Sequence, residues 1–246
     1  MGVASLYPDS EVVLGGPGLN NDSLWFDVEY MKPDYDLYPS KYSQGYTTRG
    51  CIRDCPWCIV RDKEGRYRRH QHIRTFHDSR FDTVMVMDNN WLGDKEWFMK
   101  NTDYVFEEGL KVIEHGMDIR LLTPEIAERL KELRWAKPMK FAYDQPGERE
   151  AVKNGIGLLR DAGVNVRQNV MVYVLAGYNT TPEEDLKRCN ELKEWGTNAF
   201  VMPYEKTEFI KDLARWSNRK QLYWSTSFED YVEGKHGSGS KTGASC

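Results

Sequence analysis

The chain has no strong charge of one sign, no long apolar run, few cysteines and, before His70, no histidine. Its 246 residues set 34 basic against 38 acidic side chains, a formal net charge of −4, which argues against a protein that binds nucleic acid through its overall field. No apolar stretch approaches the roughly 20 residues of a membrane span. The sequence opens on Met1-Gly2-Val3 rather than a charged and then apolar leader, so a cytoplasmic setting with no membrane partner is expected. A disulfide set would call for an oxidising compartment, and the five cysteines are therefore read as thiols. With 40% hydrophobic and 13% aromatic residues, the chain is long enough for one sizeable core and short for two.

Three of those cysteines stand together in Cys51-Ile52-Arg53-Asp54-Cys55-Pro56-Trp57-Cys58. Iron–sulfur clusters are usually held by four thiolates. A compact set of three with no fourth nearby fits three corners of a four-iron cluster and leaves one iron open to a ligand that is not protein. The competing reading is a structural zinc knuckle completed by His70, His72 or His77, which would make the chain a zinc-stabilised module that binds nucleic acid or protein without catalysis. Zinc sites favour a second, distant ligand pair, and that pair is missing.

Beyond this motif, strand-like and helix-like segments alternate, the pattern of βα units and a parallel sheet. Six strands are predicted, at Ser43–Arg49, Thr83–Asp88, Met117–Leu122, Met139–Asp144, Arg167–Leu175 and Asn198–Pro203. Between them, Thr123-Pro124-Glu125 and Thr181-Pro182-Glu183-Glu184 read as helix starts, each with an N-cap threonine and a first-turn proline. A further helix is predicted from about Gly147 to Ala162, with Gly163 as its stop. Cys189 falls on an apolar stripe with Leu186, Leu192 and Trp195 and reads as a buried small hydrophobe. Repetition of this kind closes or partly closes into a barrel whose site lies at the C-terminal ends of its strands. The expected organisation is an N-terminal extension over 1–42, a partial (β/α)6 barrel of the TIM type over 43–205, a helical segment over 206–235 and a Gly/Ser-rich tail over 236–246 that ends in Cys246.

The CxxxCxxC spacing with an aromatic before its third cysteine resembles the signature of the radical S-adenosylmethionine superfamily, and the likeness extends over most of the chain. It implies a 4Fe-4S cluster on Cys51, Cys55 and Cys58, S-adenosylmethionine chelating the open iron, and an external electron donor such as flavodoxin or ferredoxin. It further implies reductive cleavage of S-adenosylmethionine to a 5'-deoxyadenosyl radical that takes hydrogen from a substrate, with a peptide, protein or RNA favoured. Trp57 stands where the superfamily places an aromatic against adenine. Asp88, Asn89 and Asn90 stand where related enzymes bond the methionine amino group. The turn at Gly177 resembles the one that passes adenine, and glycine there would allow close approach.

Arginine's planar fork suits the methionine carboxylate, which makes Arg120 its candidate ligand. Asp144 and Asn169, with Gln168 beside it, are candidates for the ribose. The closest pattern is that of radical enzymes joined to a cobalamin domain. Pro33–Tyr38 looks like their linker and Val12–Gly18 like the end of such a domain, but without an earlier histidine no cobalamin is expected. The loop Cys58–Arg66 also resembles methylthiotransferases, whose second three-cysteine cluster this chain cannot supply. Two stretches offer a nucleic-acid surface as well: the basic loop Arg61–Arg74, and Lys211, Arg215 and Arg219 near Trp216, Tyr223 and Trp224. Each is equally readable as a solvated or packed face.

Overall fold

The computed structural model describes residues 29–37 and 39–237. The Val12–Gly18 stretch and Cys246 lie outside them, as does Tyr38 at the end of the expected linker. Two parallel sheets form the centre. The first takes β1 (Ser43–Gly45), β4 (Thr83–Val86), β5 (Lys111–Glu114) and β6 (Arg134–Trp135) in that order, and the second takes β7 (Met139–Ala142), β8 (Val170–Ala176) and β9 (Asn198–Pro203). β2 (Thr48–Arg49) and β3 (Arg68–Arg69) pair antiparallel as a separate short ribbon. A parallel bridge from Met117 to Phe141 joins the two sheets. Met117 N donates to Lys140 O over 3.0 Å, and the Glu114 carboxylate accepts from Lys140 N at 2.6 Å, where a strand carbonyl would otherwise serve.

Alternation along the strands sends every second side chain into the helices. Val84, Val86, Val112, Val170, Val172 and Val174 are all fully buried. Over them pack α4 (Pro124–Glu132), α5 (Arg149–Asp161) and α7 (Pro182–Glu194), contributing Ile126, Val152, Ile156, Cys189 and Leu192 to one continuous core. Both expected N-caps are present, Thr123 accepting from Ile126 N and Thr181 from Glu184 N. Cys189 is fully enclosed, and burial pushes its thiol up to about 12. Residues 208–237 add α8 (Glu208–Ser217), α9 (Lys220–Ser225) and α10 (Phe228–Gly237).

Three of the six predicted strands need correction. The segment Met117–Leu122 is not a strand: Asp118 accepts from Arg120 N at 3.0 Å and caps a 3-10 turn at Ile119–Leu121, while the third central strand is the earlier Lys111–Glu114. Arg167–Asn169 belongs to α6 (Val166–Asn169), and β8 begins after it. Ser43–Arg49 is broken in two, because Asp88 takes the backbone of Thr47 and Thr48 away from the ladder.

Candidate functional site

That break aims the cysteine loop. Asp88, 1% exposed at the end of β4, accepts from Thr47 N at 2.6 Å, Thr48 N at 3.1 Å and Thr48 Oγ1 at 2.8 Å, and from the Thr47 hydroxyl as well. The chain then swings out as β2, pairs with β3, and enters the loop through Gly50. Gly50 has φ of 69°, and a Cβ there would lie 2.3 Å from Arg66 O, so only glycine passes. Tyr67 N bonds Cys51 O at 3.2 Å, and Cys58 N bonds Cys55 O at 2.9 Å, closing the loop's two ends.

Cys51, Cys55 and Cys58 are free, half-buried thiols. Burial raises the Cys55 pKa; the Arg120 guanidinium opposes this, while Cys58, Cys51 and Asp144 add to it. The three sulfurs, Arg120 and Asp144 therefore share one electrostatic neighbourhood at the C-terminal ends of the strands. Arg53, between the first two cysteines, donates its backbone N–H to Cys51 Sγ at 3.4 Å and its Nε to Asp118 Oδ2 at 2.7 Å. Asp118 also accepts from Arg120 Nε at 2.7 Å. Arg120 in turn reaches Glu148, whose Oε2 accepts from Asp144 N at 2.9 Å and Gln145 N at 3.1 Å. A chain of alternating charge, Arg53–Asp118–Arg120–Glu148, so ties the loop to the end of β7. Burial works to raise the Asp118 pKa, but Arg120 and Arg53 outweigh it and hold the carboxyl low.

Asp144, following β7, is pushed up to about 6 by burial first and Glu148 second, against the pull of Arg188 and Arg120. Arg188 is a residue that sequence reasoning missed. An arginine in a helical pattern reads as surface, yet it is 1% exposed and donates to the carbonyls of Tyr143, Asp144 and Leu175, each within 2.8 Å, and to Asp185. Asp185 accepts from Gly177 N at 3.0 Å. The ends of β7 and β8 are thus pinned to α7 from within. Asp118 and Glu148 were missed for a related reason: each also has a distant partner, Arg53 for Asp118 and Arg120 for Glu148. Rings link the loop to the later strands, Trp57 to Tyr178 at 5.2 Å and Tyr178 to Tyr204 at 4.8 Å between centroids.

Several candidates change role. With four donors on its two oxygens, Asp88 braces the loop and is spent as an amine acceptor. Asn89 Nδ2 donates to Glu64 Oε2 at 2.9 Å, and Asn90 Oδ1 accepts from Asp118 N at 3.1 Å, so both hold the frame around the loop. Asn169 is corrected outright: it ends α6 and precedes β8, which puts it at the N-terminal edge, the opposite end of the sheet from the cysteines. Gly177 has φ of 83°, and a Cβ there would meet only the movable end of Ile210 at 2.7 Å, so the backbone turn itself already favours glycine. Arg120 lies on a 3-10 turn and not on a strand, but it faces Cys55 as a site residue should.

The three histidines named for a zinc site are engaged elsewhere. His77 bonds the Tyr104 hydroxyl at 2.9 Å and Phe81 O at 3.1 Å, His72 caps α2 (Ile73–Phe76), and His70 lies against Tyr30. Among the described residues, no group of three His, Cys, Asp or Glu is placed to hold a metal ion. A single ion needs its ligands to converge on one point, whereas a cubane takes one thiolate at each of several corners. Cys51, Cys55 and Cys58 are free thiols within electrostatic reach of one another, with Arg53 and Arg120 beside them.

Of the residues named for a nucleic-acid surface, two aromatics are enclosed and three of the loop arginines are in ion pairs. Trp216 and Tyr223 are fully buried. In the basic loop Arg69 pairs with Asp94 and Glu96, Arg74 with Glu107, and Arg61 with Asp54. Compared with known protein families and with curated proteins, the chain matches none.

Proposed function

We propose that this chain is a radical S-adenosylmethionine enzyme on a partial (β/α)6 barrel of the TIM type. The observation that carries the reading is the gathering of Cys51, Cys55 and Cys58, as free thiols, with Arg120 and Asp144 at the C-terminal ends of parallel strands. Support for the barrel comes from the seven parallel strands β1 and β4 to β9, which follow one another across the sheets in chain order and are interrupted only at the seam between Glu114 and Lys140. Cys51, Cys55 and Cys58 would hold a 4Fe-4S cluster, which, once bound, supplies the electron that cleaves S-adenosylmethionine and so generates the hydrogen-abstracting radical. An external donor such as flavodoxin or ferredoxin would reduce it.

The rest is the work of the chain. Binding requires the thiols to lose their protons, and Arg120 favours that loss at Cys55. Arg53, anchored on Asp118, fixes the loop's first turn and directs a backbone donor at Cys51. Arg120 offers its guanidinium to the methionine carboxylate, in competition with Glu148. Asp144, with its carboxyl among the site's charges, serves the ribose hydroxyls. Trp57, its ring tilted against that of Tyr178, would lie beside the adenine. Anaerobically purified protein should be brown, and dithionite should drive release of 5'-deoxyadenosine. Replacing any one of the three cysteines by alanine should remove both iron and release; a colourless protein with one tight zinc sinks the reading.

A further inference from the structure

Parallel sheets are usually covered on both faces, yet here the two faces differ. Opposite the valine-lined core side, Met85, Lys140, Met171, Tyr173, Leu175 and Phe200 are all only partly buried, and Met202 is 46% exposed. They form a band across the sheet. The strand registers place Lys140 beside Met171, Tyr173 beside Phe200 and Leu175 beside Met202. The Tyr173 and Phe200 rings meet edge to face at 5.5 Å, and His115 Nε2 lies 3.2 Å from Met85 Sδ.

In the middle of this apolar band stands a cation. The Lys140 ammonium donates to a backbone carbonyl, that of Glu114, rather than to a carboxylate, and an ammonium has three donors. The Glu114 side chain is turned to Lys140 N instead, and its Oε2 is buried with no protein partner. Burial pushes the Glu114 carboxyl up to about 7 against the pull of Lys140, so at neutral pH it balances the lysine only in part. A cation balanced only in part on an apolar surface selects an opposite charge carried by an apolar body.

We infer that this face is a binding site for a small apolar acid, whose body lies on Met171, Tyr173 and Phe200 and whose anionic group is held by Lys140. That such an acid would be the substrate rests on the proposed function, whereas the site's chemistry does not.

The test compares 1-anilinonaphthalene-8-sulfonate, an aromatic anion, with N-phenyl-1-naphthylamine, the same ring system without the charge, by equilibrium dialysis against the full chain. The anion should bind and displace the neutral dye. Lys140→Met should weaken the anion tenfold or more, the loss of one charge-assisted hydrogen bond, and change the neutral dye less than twofold. Met202→Glu, at an exposed edge of the same face, should also weaken the anion more than the neutral dye, which keeps the test open if Lys140→Met does not fold. Failure of the anion to bind wild type, or parallel loss of both dyes in the variants, overturns the site. Iron is assayed on the same preparations: dye selectivity without iron loading defeats the radical reading alone, and iron loading without selectivity defeats the site alone.

Discussion

Two aspartates end parallel strands of this fold, Asp88 after β4 and Asp144 after β7, and they do opposite things. Burial lifts both to about 6. Asp88 has every lone-pair direction engaged by the two threonines of one turn; its charge is consumed in holding the backbone. Asp144 has its backbone held for it, the N–H by Glu148 and the carbonyl by Arg188, while its carboxyl lies among Glu148, Arg188, the Leu175 backbone and Arg120 and is felt by Cys55. A saturated carboxylate is scaffold, and one whose supports are supplied by other residues is available for chemistry. The arginines differ in burial and partner: Arg188 is enclosed and donates mainly to carbonyls, whereas the more exposed Arg120 gives its guanidinium to Asp118 and Glu148.

The largest effect expected from this contrast falls on the scaffold side. Asp88→Ala strands the Thr47 and Thr48 donors in a buried place, at a cost on the order of 3 kcal/mol, and frees the start of the cysteine loop. Urea denaturation should show the loss of stability, and iron content should fall with it. If stability holds and only cofactor affinity drops, Asp88 belongs with Asp144 and the distinction between them collapses.

Next in size is the ion chain. Arg120→Ala should weaken S-adenosylmethionine binding by roughly tenfold to a hundredfold, with the melting temperature nearly unchanged because Arg120 is exposed. Arg53→Ala removes a different link and should lower iron occupancy before it touches that affinity. A fallen melting temperature with unchanged affinity in Arg120→Ala would assign the whole chain from Arg53 to Glu148 to structure.

A smaller effect is expected from pH. An unfolded aspartate loses its proton near 3.9, whereas folded Asp144 keeps it until about 6. Across that window the folded state binds more protons than the unfolded one, so this group's contribution to stability declines as pH rises from about 4 to 6 and is level above. Asp144→Asn should flatten that part of the stability curve. It should also flatten any rise in S-adenosylmethionine affinity through pH 6, since ribose hydroxyls donate better to the carboxylate. A variant with the wild-type profile in both would remove Asp144 from the site.

Much of this arrangement was legible before any coordinates because it is local. The cysteine spacing, the Thr-Pro helix starts, the burial of Cys189 and the exact extent of β9 are all set by residues within a turn or two. What escaped was set by distant partners. Lys111–Glu114 has only two apolar residues, too weak a strand signal beside Met117–Leu122, whose alternation is an artefact of a capped 3-10 turn. Arg188 and Glu148 read as surface because helical periodicity does not reveal that β7 and β8 end against them. Asp88 was placed at the right strand end and given the wrong work, since nothing in Asp-Asn-Asn announces that two threonines forty residues earlier will fold onto it.

The smallest effect tests the direction of the sheet itself. Asn169 carries the same amide as Asn89 and Asn90, and a sequence pattern alone cannot tell which end of a strand it occupies. It is exposed at the end of α6, one residue before β8 begins, and Lys220 and Asn198 bond the neighbouring Arg167 carbonyl there. Seven residues of strand rising about 3.3 Å each separate it from Gly177, farther than any side chain reaches. Asn169→Ala should therefore leave iron content, S-adenosylmethionine affinity and 5'-deoxyadenosine release within twofold of wild type. A tenfold loss of affinity with the fold intact would mean that ligand binds at the N-terminal edge, and the contrast between a spent Asp88 and an available Asp144 would then describe the wrong end of the molecule.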